Sequence, residues 1–198
     1  MKQFLSFAFI YDFFQWAAGA NNLRQWYTHK LLKADKGATL YEAGCGTGSI
    51  LNLIPEVKDY FGYDISPSYI AQAKERFPNY HFHVIEGDDL SVMPSFPCDI
   101  FFCVGLLHHL TDEQVTAVMK LAKQNLKQRG RFVALEPCYL RHQSKLSHWL
   151  MSKDRGEYIR HPEQYAELIS EHFKDVKLDV VTNLTNIPYI HLAIEANN

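Results

Sequence analysis

The chain has 198 residues, of which 47% are hydrophobic and 21% are charged, and its formal net charge is -2 at pH 7. This length suits one globular domain with its own hydrophobic core. The near-neutral charge excludes a strongly basic surface of the kind that attracts nucleic acid or an anionic membrane. The four cysteines show no C-x-x-C spacing, which indicates reduced thiols of a cytoplasmic protein rather than a disulfide or zinc framework.

The first twenty residues, MKQFLSFAFIYDFFQWAAGA, are compatible with two interpretations. A lysine, an apolar run and the small residues at 18–20 are typical of a secretory signal peptide. Asp12 and Gln15 interrupt that run, however, and four aromatic residues follow helical spacing, namely Phe4, Phe7, Tyr11 and Phe14. We therefore favour a retained amphipathic helix over 3–16, followed by a second helix over 21–34. No other stretch is long enough to span a bilayer.

Strands and helices then alternate along the chain. Apolar segments predict five strands, at 38–43, 59–64, 80–87, 98–105 and 130–137. Helices are expected to begin near Thr47, at Ser66-Pro67, and at Thr111, the last one running to about residue 128. This alternation predicts a doubly wound α/β fold, in which a mostly parallel sheet carries helices on both faces.

The pattern changes after the fifth predicted strand. Residues 138–160 are polar and rich in arginine, histidine and serine, and a helix over 162–172 and two strands near 175–181 and 189–195 follow. Neither a repeat nor a linker divides the chain. We therefore expect one domain over 1–198, with an insertion after the fifth strand.

The stretch LYEAGCGTGSI joins the first predicted strand to a helix through Gly44, Gly46 and Gly48, which recur at every second residue. Glycines at such a turn allow positive φ and let a ligand approach the backbone closely. The spacing differs from the G-x-G-x-x-G fingerprint of dinucleotide-binding proteins. It therefore argues against a pyrophosphate cofactor such as NAD.

Acidic residues stand at the ends of three successive predicted strands. Glu42 ends the first strand and Asp64 the second, where a carboxylate can accept both hydrogen bonds of a ribose diol. The third strand closes in EGDDL, where Asp88 or Asp89 could meet an adenine amino group. Each acid alone could be a cap or a solvated loop end, but all three together favour a nucleoside site.

These motifs resemble those of class I S-adenosylmethionine-dependent methyltransferases. The resemblance rests on E-x-G-x-G-x-G, the acid after the second strand, G-D after the third and LLHHL after the fourth. The segments YDFFQWAAGANNLRQW, DRGEYIR and IPYIHLAIE look like those of a small bacterial subgroup of uncertain substrate. Typical members have aspartate where Glu42 stands, which is a conservative departure.

The resemblance implies a Rossmann-like sheet of seven strands with the last one antiparallel, and S-adenosylmethionine as the cofactor. It implies that Gly44 and Gly46 contact the methionine half of the cofactor, and that Glu42 orders the turn and the methionine ammonium. It also suggests that the N-terminal helices, 1–35, cover the cofactor with Tyr11 and Trp26. The expected cofactor-binding set is Tyr11, Glu42, Gly44, Cys45, Gly46, Asp64, Ile65, Asp88, Asp89 and Val104.

His108 and His109 stand side by side in VGLLHHLTDE, where an apolar strand meets a helix. A pair of satisfied, merely structural histidines remains an alternative. In the family the fourth strand lies beside the first, so its end meets the cofactor's methyl group. We predict that His108 is the general base, oriented by Glu136 at the end of the fifth strand, with His109 as the alternative. Adjacent residues at such a turn should point their rings in different directions.

Two further groups of histidines could be read as metal sites. His81 and His83 share one face of a strand, and His142 could join His108 and His109. The first pair has no cysteine or carboxylate at matching spacing nearby. We expect no metal at either group.

The segment 138–161 (the cap segment) is predicted to cap the substrate. Its positive residues suit an acidic group on the acceptor, and the candidates are Arg141, His142, Arg155 and Arg160. A solvated face with salt bridges to Asp154 and Glu157 is the alternative.

The chain lacks the N-P-P-Y or D-P-P-Y of amino-methylating members, which argues against nucleic acid as the methyl acceptor. We expect methyl transfer to a small molecule, at oxygen or nitrogen; a macromolecular methyltransferase and a silent cofactor-binding module are the alternatives. The oligomeric state stays open.

Overall fold

The computed structural model describes residues 20–85 and 95–198. Seven strands form a single sheet in the order β3-β2-β1-β4-β5-β7-β6. β7 pairs antiparallel with β5 and with β6, whereas the pairs between β1, β2, β3, β4 and β5 are parallel. The strands are β1 Thr39–Ala43, β2 Asp59–Asp64, β3 His81–Val84, β4 Cys98–Val104, β5 Leu126–Pro137, β6 Asp175–Val181 and β7 His191–Asn197. The predicted fold class is confirmed.

Helical segments connect these strands. The described α-helices are α1 Ala20–Trp26, α2 Pro67–Arg76, α3 Asp112–Asn125, α4 Lys145–Met151 and α5 Pro162–Ser170. Two of the predicted N-caps are present, because the Ser66 hydroxyl accepts from Tyr69 N–H and the Thr111 hydroxyl accepts from Gln114 N–H. Such caps satisfy backbone donors that would otherwise lack partners at a helix start.

The sheet has a hydrophobic core on each face. One core contains Phe101 and Phe132 of the central strands and packs against α3 and α5. The other contains Tyr60 and Phe102 and packs against α2 and the segment that follows α1. Because both faces are covered, the carboxyl ends of the parallel strands remain as the edge at which a ligand can enter.

The structure differs in detail from the predictions at three places. The segment after Thr47 forms only a short 3-10 turn, Ser49–Asn52, rather than a full helix. The second N-terminal helix changes after Trp26 into a π-helical turn, Tyr27–Leu32. The polar segment contains a helix, α4, where the sequence predicts none, although Ser144 is its N-cap. Short segments of this kind depend on packing more than on their own propensity.

The predicted helix over 3–16, with Tyr11, and the acids Asp88 and Asp89 lie outside the described residues. Within 20–85 and 95–198, the structure contains no helix with the length and apolar character that crossing a bilayer requires.

Candidate cofactor and acceptor site

The glycine turn leaves β1 with positive φ angles at all three glycines, 75° at Gly44, 54° at Gly46 and 67° at Gly48. The amides of Gly44 and Cys45 both donate to the Tyr63 carbonyl, which ties the turn to β2. A Cβ placed on Gly46 would meet nothing within 4 Å. The turn is therefore open at Gly46, where a ligand can approach the backbone.

Asp64 lies directly beside this turn. Its carboxylate accepts from Gly46 N–H at 2.8 Å and from Ser66 N–H at 2.9 Å. These bonds hold the carboxylate at the carboxyl end of β2 and leave further lone pairs for a diol. The next residue, Ile65, is 73% exposed, an unusually bare apolar side chain at this edge of the sheet.

Glu42 is buried next to the glycine turn and accepts a hydrogen bond from the Tyr60 hydroxyl. Burial raises the pKa of Glu42 to about 8; the Tyr60 bond opposes this effect and the charge of Asp64 adds to it. The Glu42 carboxyl is therefore mostly protonated at pH 7 in the cofactor-free protein. A cation placed beside it would restore the carboxylate.

The loop after β4, residues 105–110 (the histidine loop), brings His108 and His109 to the same edge. Gly105 has a φ of 62°, and Leu107–His109 form a 3-10 turn. A Cβ placed on Gly44 would lie 3.2 Å from the Leu106 side chain, so this loop packs against the glycine turn. The contact joins the expected methionine site to the histidine pair.

Glu136 is fully buried at the end of β5 and binds the histidine loop. Its carboxylate accepts from the amides of Leu106 and Leu107 at 2.9 Å, and its Oε2 lies 2.8 Å from His108 Nδ1. Glu136 thus orients the His108 ring, as the sequence-based prediction expected of it. The buried carboxylate is compensated by these donors.

The other ring nitrogen of His108 is also engaged. His108 Nε2 lies 3.3 Å from Asp154 Oδ1, and the Asp154 carboxylate also accepts from Gly156 N–H at 2.8 Å and from the Tyr189 hydroxyl at 2.6 Å. A Cβ on Gly156 would overlap the His108 ring, so the 154–158 segment lies directly on this histidine. Burial lowers the pKa of His108, but the bonds to Asp154 and Glu136 outweigh it and raise the pKa to about 9.

His109 differs from its neighbour because its side chain is exposed. Partial burial of the ring and the charge of His108 lower the pKa of His109. The two rings do not diverge as predicted; their centroids are 4.1 Å apart with a tilt of 40°. A ring nitrogen of each histidine lies within 4.8 Å of an Asp154 carboxylate oxygen, so the 3-10 turn directs both rings to the same side.

Comparisons with known proteins point to one kind of enzyme. A family model described as a methyltransferase domain matches residues 41–132. An uncharacterized methyltransferase of Geobacillus sp. (strain WCH70) is 26% identical over 75% of this chain and 67% of its own length. Another uncharacterized methyltransferase, of Bacillus cereus, is 31% identical over 46% of this chain and 43% of its own length.

These matches support a class I S-adenosylmethionine-dependent methyltransferase domain in this chain. Solved structures with the same fold include the TehB-like SAM-dependent methyltransferase from Corynebacterium glutamicum, at a TM-score of 0.58 and 19% identity, covering 84% of each chain. The mitomycin 7-O-methyltransferase MmcR aligns with a TM-score of 0.66 and 13% identity, covering 90% of this chain and 54% of its own. The cofactor of this methyltransferase is S-adenosylmethionine.

In this methyltransferase the residues expected to bind the cofactor converge at one edge, as far as the structure describes them. Glu42, Gly44, Gly46 and Asp64 surround the glycine turn as described above. Cys45 is buried within the turn, and Val104 is partly buried at the end of β4. Trp26, expected to cover the cofactor, is partly buried against one of the two hydrophobic cores.

Arg160 does not have the substrate-binding role predicted for it. Its guanidinium donates from Nε and Nη2 to Asp112, from Nη1 to the Leu107 and Tyr158 carbonyls, and from Nη2 to the Leu110 carbonyl. All five N–H donors are therefore engaged within the protein. Arg160 is buried, and it fastens the cap segment to the histidine loop.

The remaining candidate residues of the cap segment are exposed; these are Arg141, His142 and Arg155. Their predicted role in holding an acidic acceptor stays a prediction. His81 and His83 are also exposed, and their rings stack on Phe61 and Tyr63 of β2. That stacking accounts for the pair without a ligand.

Sequence reasoning missed three residues of the site: Asp154, Gly156 and Tyr189. The sequence offers Asp154 only as a salt-bridge partner for neighbouring arginines, whereas in the structure it binds His108. The one available signal was an acidic residue followed two positions later by glycine, in a segment already expected to lie over the site. That signal does not specify which distant side chain the aspartate meets.

Asp64→Ala should weaken S-adenosylmethionine binding by about 1.5–3 kcal/mol, because two hydrogen bonds to the ribose are lost and one is charge-assisted. Isothermal calorimetry of the folded variant measures this change. Asp179→Ala, at an exposed position of β6, is the matched control and should bind like the wild type. Unchanged affinity in Asp64→Ala would place the ribose elsewhere.

Proposed function

We propose that this methyltransferase transfers the methyl group of S-adenosylmethionine to an oxygen of a small-molecule acceptor, with nitrogen as the alternative atom. The observation that carries this proposal is the packing of Leu106 against Gly44, with the 154–158 segment lying on His108. The glycine turn, the histidine loop and the cap segment are therefore continuous. Methyl transfer needs the nucleophile, carbon and sulfur in line, and a capped edge can hold an acceptor in that position.

A small acceptor is favoured by the cap and by the charge. The cap segment is fastened to the histidine loop by Arg160, and a net charge of -2 offers no broad basic surface for nucleic acid. Structures with the same fold include a mitomycin 7-O-methyltransferase and a phosphoethanolamine N-methyltransferase, so oxygen and nitrogen are both compatible with the fold. The buried free cysteines of the described chain support a cytoplasmic location.

The role of general base passes, in this proposal, from His108 to His109. Nδ1 of His108 is hydrogen-bonded to Glu136 and Nε2 faces the Asp154 carboxylate at 3.3 Å, so neither ring nitrogen is open to a substrate proton. His109 is the alternative that the sequence left open, and its side chain is exposed at the same loop. A hydroxyl acceptor beside His109 could pass its proton to the imidazole during transfer.

Arg155 is the arginine of the cap segment with which an acidic acceptor can be tested. Arg155→Ala should raise the acceptor KM while S-adenosylmethionine affinity stays unchanged, because a guanidinium pairs with a carboxylate on the acceptor but not with the cofactor. Steady-state kinetics and calorimetry measure the two quantities. An unchanged KM would leave Arg155 as part of a solvated face.

The proposed function is tested with isotopically labelled S-adenosylmethionine. The protein is incubated separately with a metabolite extract, a protein extract and an RNA extract, and labelled products are detected by mass shift. The proposal expects the label in a small molecule, at oxygen. Label in protein or RNA would establish a macromolecular methyltransferase. Cofactor binding with no product in any extract would establish a silent binding module.

A further inference from the structure

Three side chains that commonly bind metals meet beside the cap segment. His108, His109 and Asp154 each offer a ligand atom, and these atoms all lie within 4.8 Å of one another. The histidines belong to the loop after β4, whereas Asp154 comes from the cap segment after β5. The fold brings these two segments together; the chain does not place them side by side.

The spacing within this cluster suits an ion. His108 Nε2 and Asp154 Oδ1 are 3.3 Å apart, whereas charge-assisted hydrogen bonds are usually about 2.7–2.9 Å. Two ligands that each lie about 2.0–2.1 Å from a tetrahedral metal ion are separated by about 3.3 Å. The observed distance exceeds the usual range of charge-assisted hydrogen bonds and equals the separation expected for two ligands of one ion.

Outer partners already orient two of the three ligands. Glu136 Oε2 lies 2.8 Å from His108 Nδ1, so it can fix the tautomer that leaves Nε2 for a metal. Tyr189 and Gly156 donate to the Asp154 carboxylate at 2.6 Å and 2.8 Å. Carboxylate–histidine pairs of this kind hold ligand rings in metal sites.

We propose that His108, His109 and Asp154 bind a divalent transition-metal ion of the zinc or iron(II) class. Two imidazoles and one carboxylate suit these ions, and a three-ligand set leaves coordination positions open. The sequence led us to expect no metal here, and the possible cluster consisted of His108, His109 and His142. Asp154 stands in the place of that third histidine, and it brings the charge that a dication requires.

Ion binding by this cluster does not depend on which acceptor is methylated; only its consequence for the acceptor rests on the proposed function. An open coordination position could take an acceptor oxygen, and the ion would then lower the pKa of that hydroxyl. In the loaded protein His109 is a ligand, so proton removal by its imidazole belongs to the metal-free protein.

The experiment uses the full chain produced without a histidine tag. Metal content is measured by mass spectrometry after dialysis against chelator and reloading with zinc, and zinc affinity is measured by calorimetry. Co²⁺ serves as a spectroscopic probe, because its visible absorption reports coordination by imidazole and carboxylate. The expected result is a single ion per chain and a rise in Tm on loading.

Asp154→Asn and His109→Ala should each weaken zinc binding roughly 100-fold or more. His81→Ala and Glu157→Gln are matched controls outside the cluster, and they should bind like the wild type. Circular dichroism and S-adenosylmethionine affinity verify that every variant is folded. Absence of a stoichiometric ion, or equal affinity in the cluster variants and the controls, would overturn the proposal. Labelled small-molecule product with no bound ion would refute the metal site alone, and a bound ion without product would refute the proposed function alone.

Discussion

Glu42→Gln should bind S-adenosylmethionine about 10-fold to 100-fold more weakly than the wild type, because the methionine ammonium loses its carboxylate partner. The same variant should make the cofactor-free protein more stable at pH 7. Glutamine keeps an acceptor for the Tyr60 hydroxyl but has no charge to bury. Binding and stability thus change in opposite directions at one residue.

The stability gain of Glu42→Gln over the wild type should grow as the pH rises from 5 to 8. The pKa of Glu42 rises from 4.5 to about 8 on folding. The wild type therefore keeps its full stability at this residue below pH 4.5 and loses stability as the pH rises towards 8. At pH 7 the cost is about 3 kcal/mol, equivalent to a Tm difference of roughly 6–12 °C. Thermal unfolding at pH 5 and pH 8 measures it; Glu42→Gln and wild type should converge at the lower pH. Glu167→Gln, at an exposed position of α5, should show no such dependence.

The cofactor affinity of the wild type should depend on pH for the same reason. Below pH 8 the ammonium must ionise Glu42 on binding, so the affinity should rise by up to about tenfold per pH unit towards pH 8. Calorimetry in buffers of different ionisation enthalpy counts the released proton. A pH-independent affinity between pH 6 and pH 8 would mean that Glu42 does not pair with the ammonium.

In the metal-free protein, His109→Ala should lower kcat by about 10²–10⁴-fold, the range expected when a general base is removed. S-adenosylmethionine affinity should be retained, because the glycine turn and Asp64 do not contact this side chain in the described hydrogen bonds. Steady-state kinetics with the acceptor found in the extract experiment gives the first quantity, and calorimetry gives the second. His81→Ala replaces an exposed histidine on β3 and should keep normal turnover.

The neighbouring substitution separates the two histidines. His108→Ala should destabilise the protein by about 3–5 kcal/mol, because Glu136 and Asp154 lose the cation between them and Glu136 stays buried. Denaturant unfolding measures that loss. If His108→Ala proves stable but inactive while His109→Ala retains turnover, the base is His108, as the sequence alone suggests.

The sequence by itself determined the fold and predicted where the cofactor edge lies. Alternating apolar segments and helix starts at Ser66 and Thr111 are local signals, and a parallel sheet follows from them because βαβ connections have a restricted geometry. The glycine turn, Glu42 and Asp64 could be predicted to lie together from local signals as well. Each stands at the end of a predicted strand, and the ends of neighbouring parallel strands meet at one edge.

The tertiary structure decided what the polar residues around the histidines do. Asp154 could be placed on His108, and Arg160 on Leu107 and Leu110, only once the cap segment lay over the loop after β4. The raised pKa of Glu42 likewise arises from burial, which its sequence neighbours do not reveal. Strand and turn signals are local, whereas hydrogen-bond partners and desolvation depend on which distant segments the fold brings together.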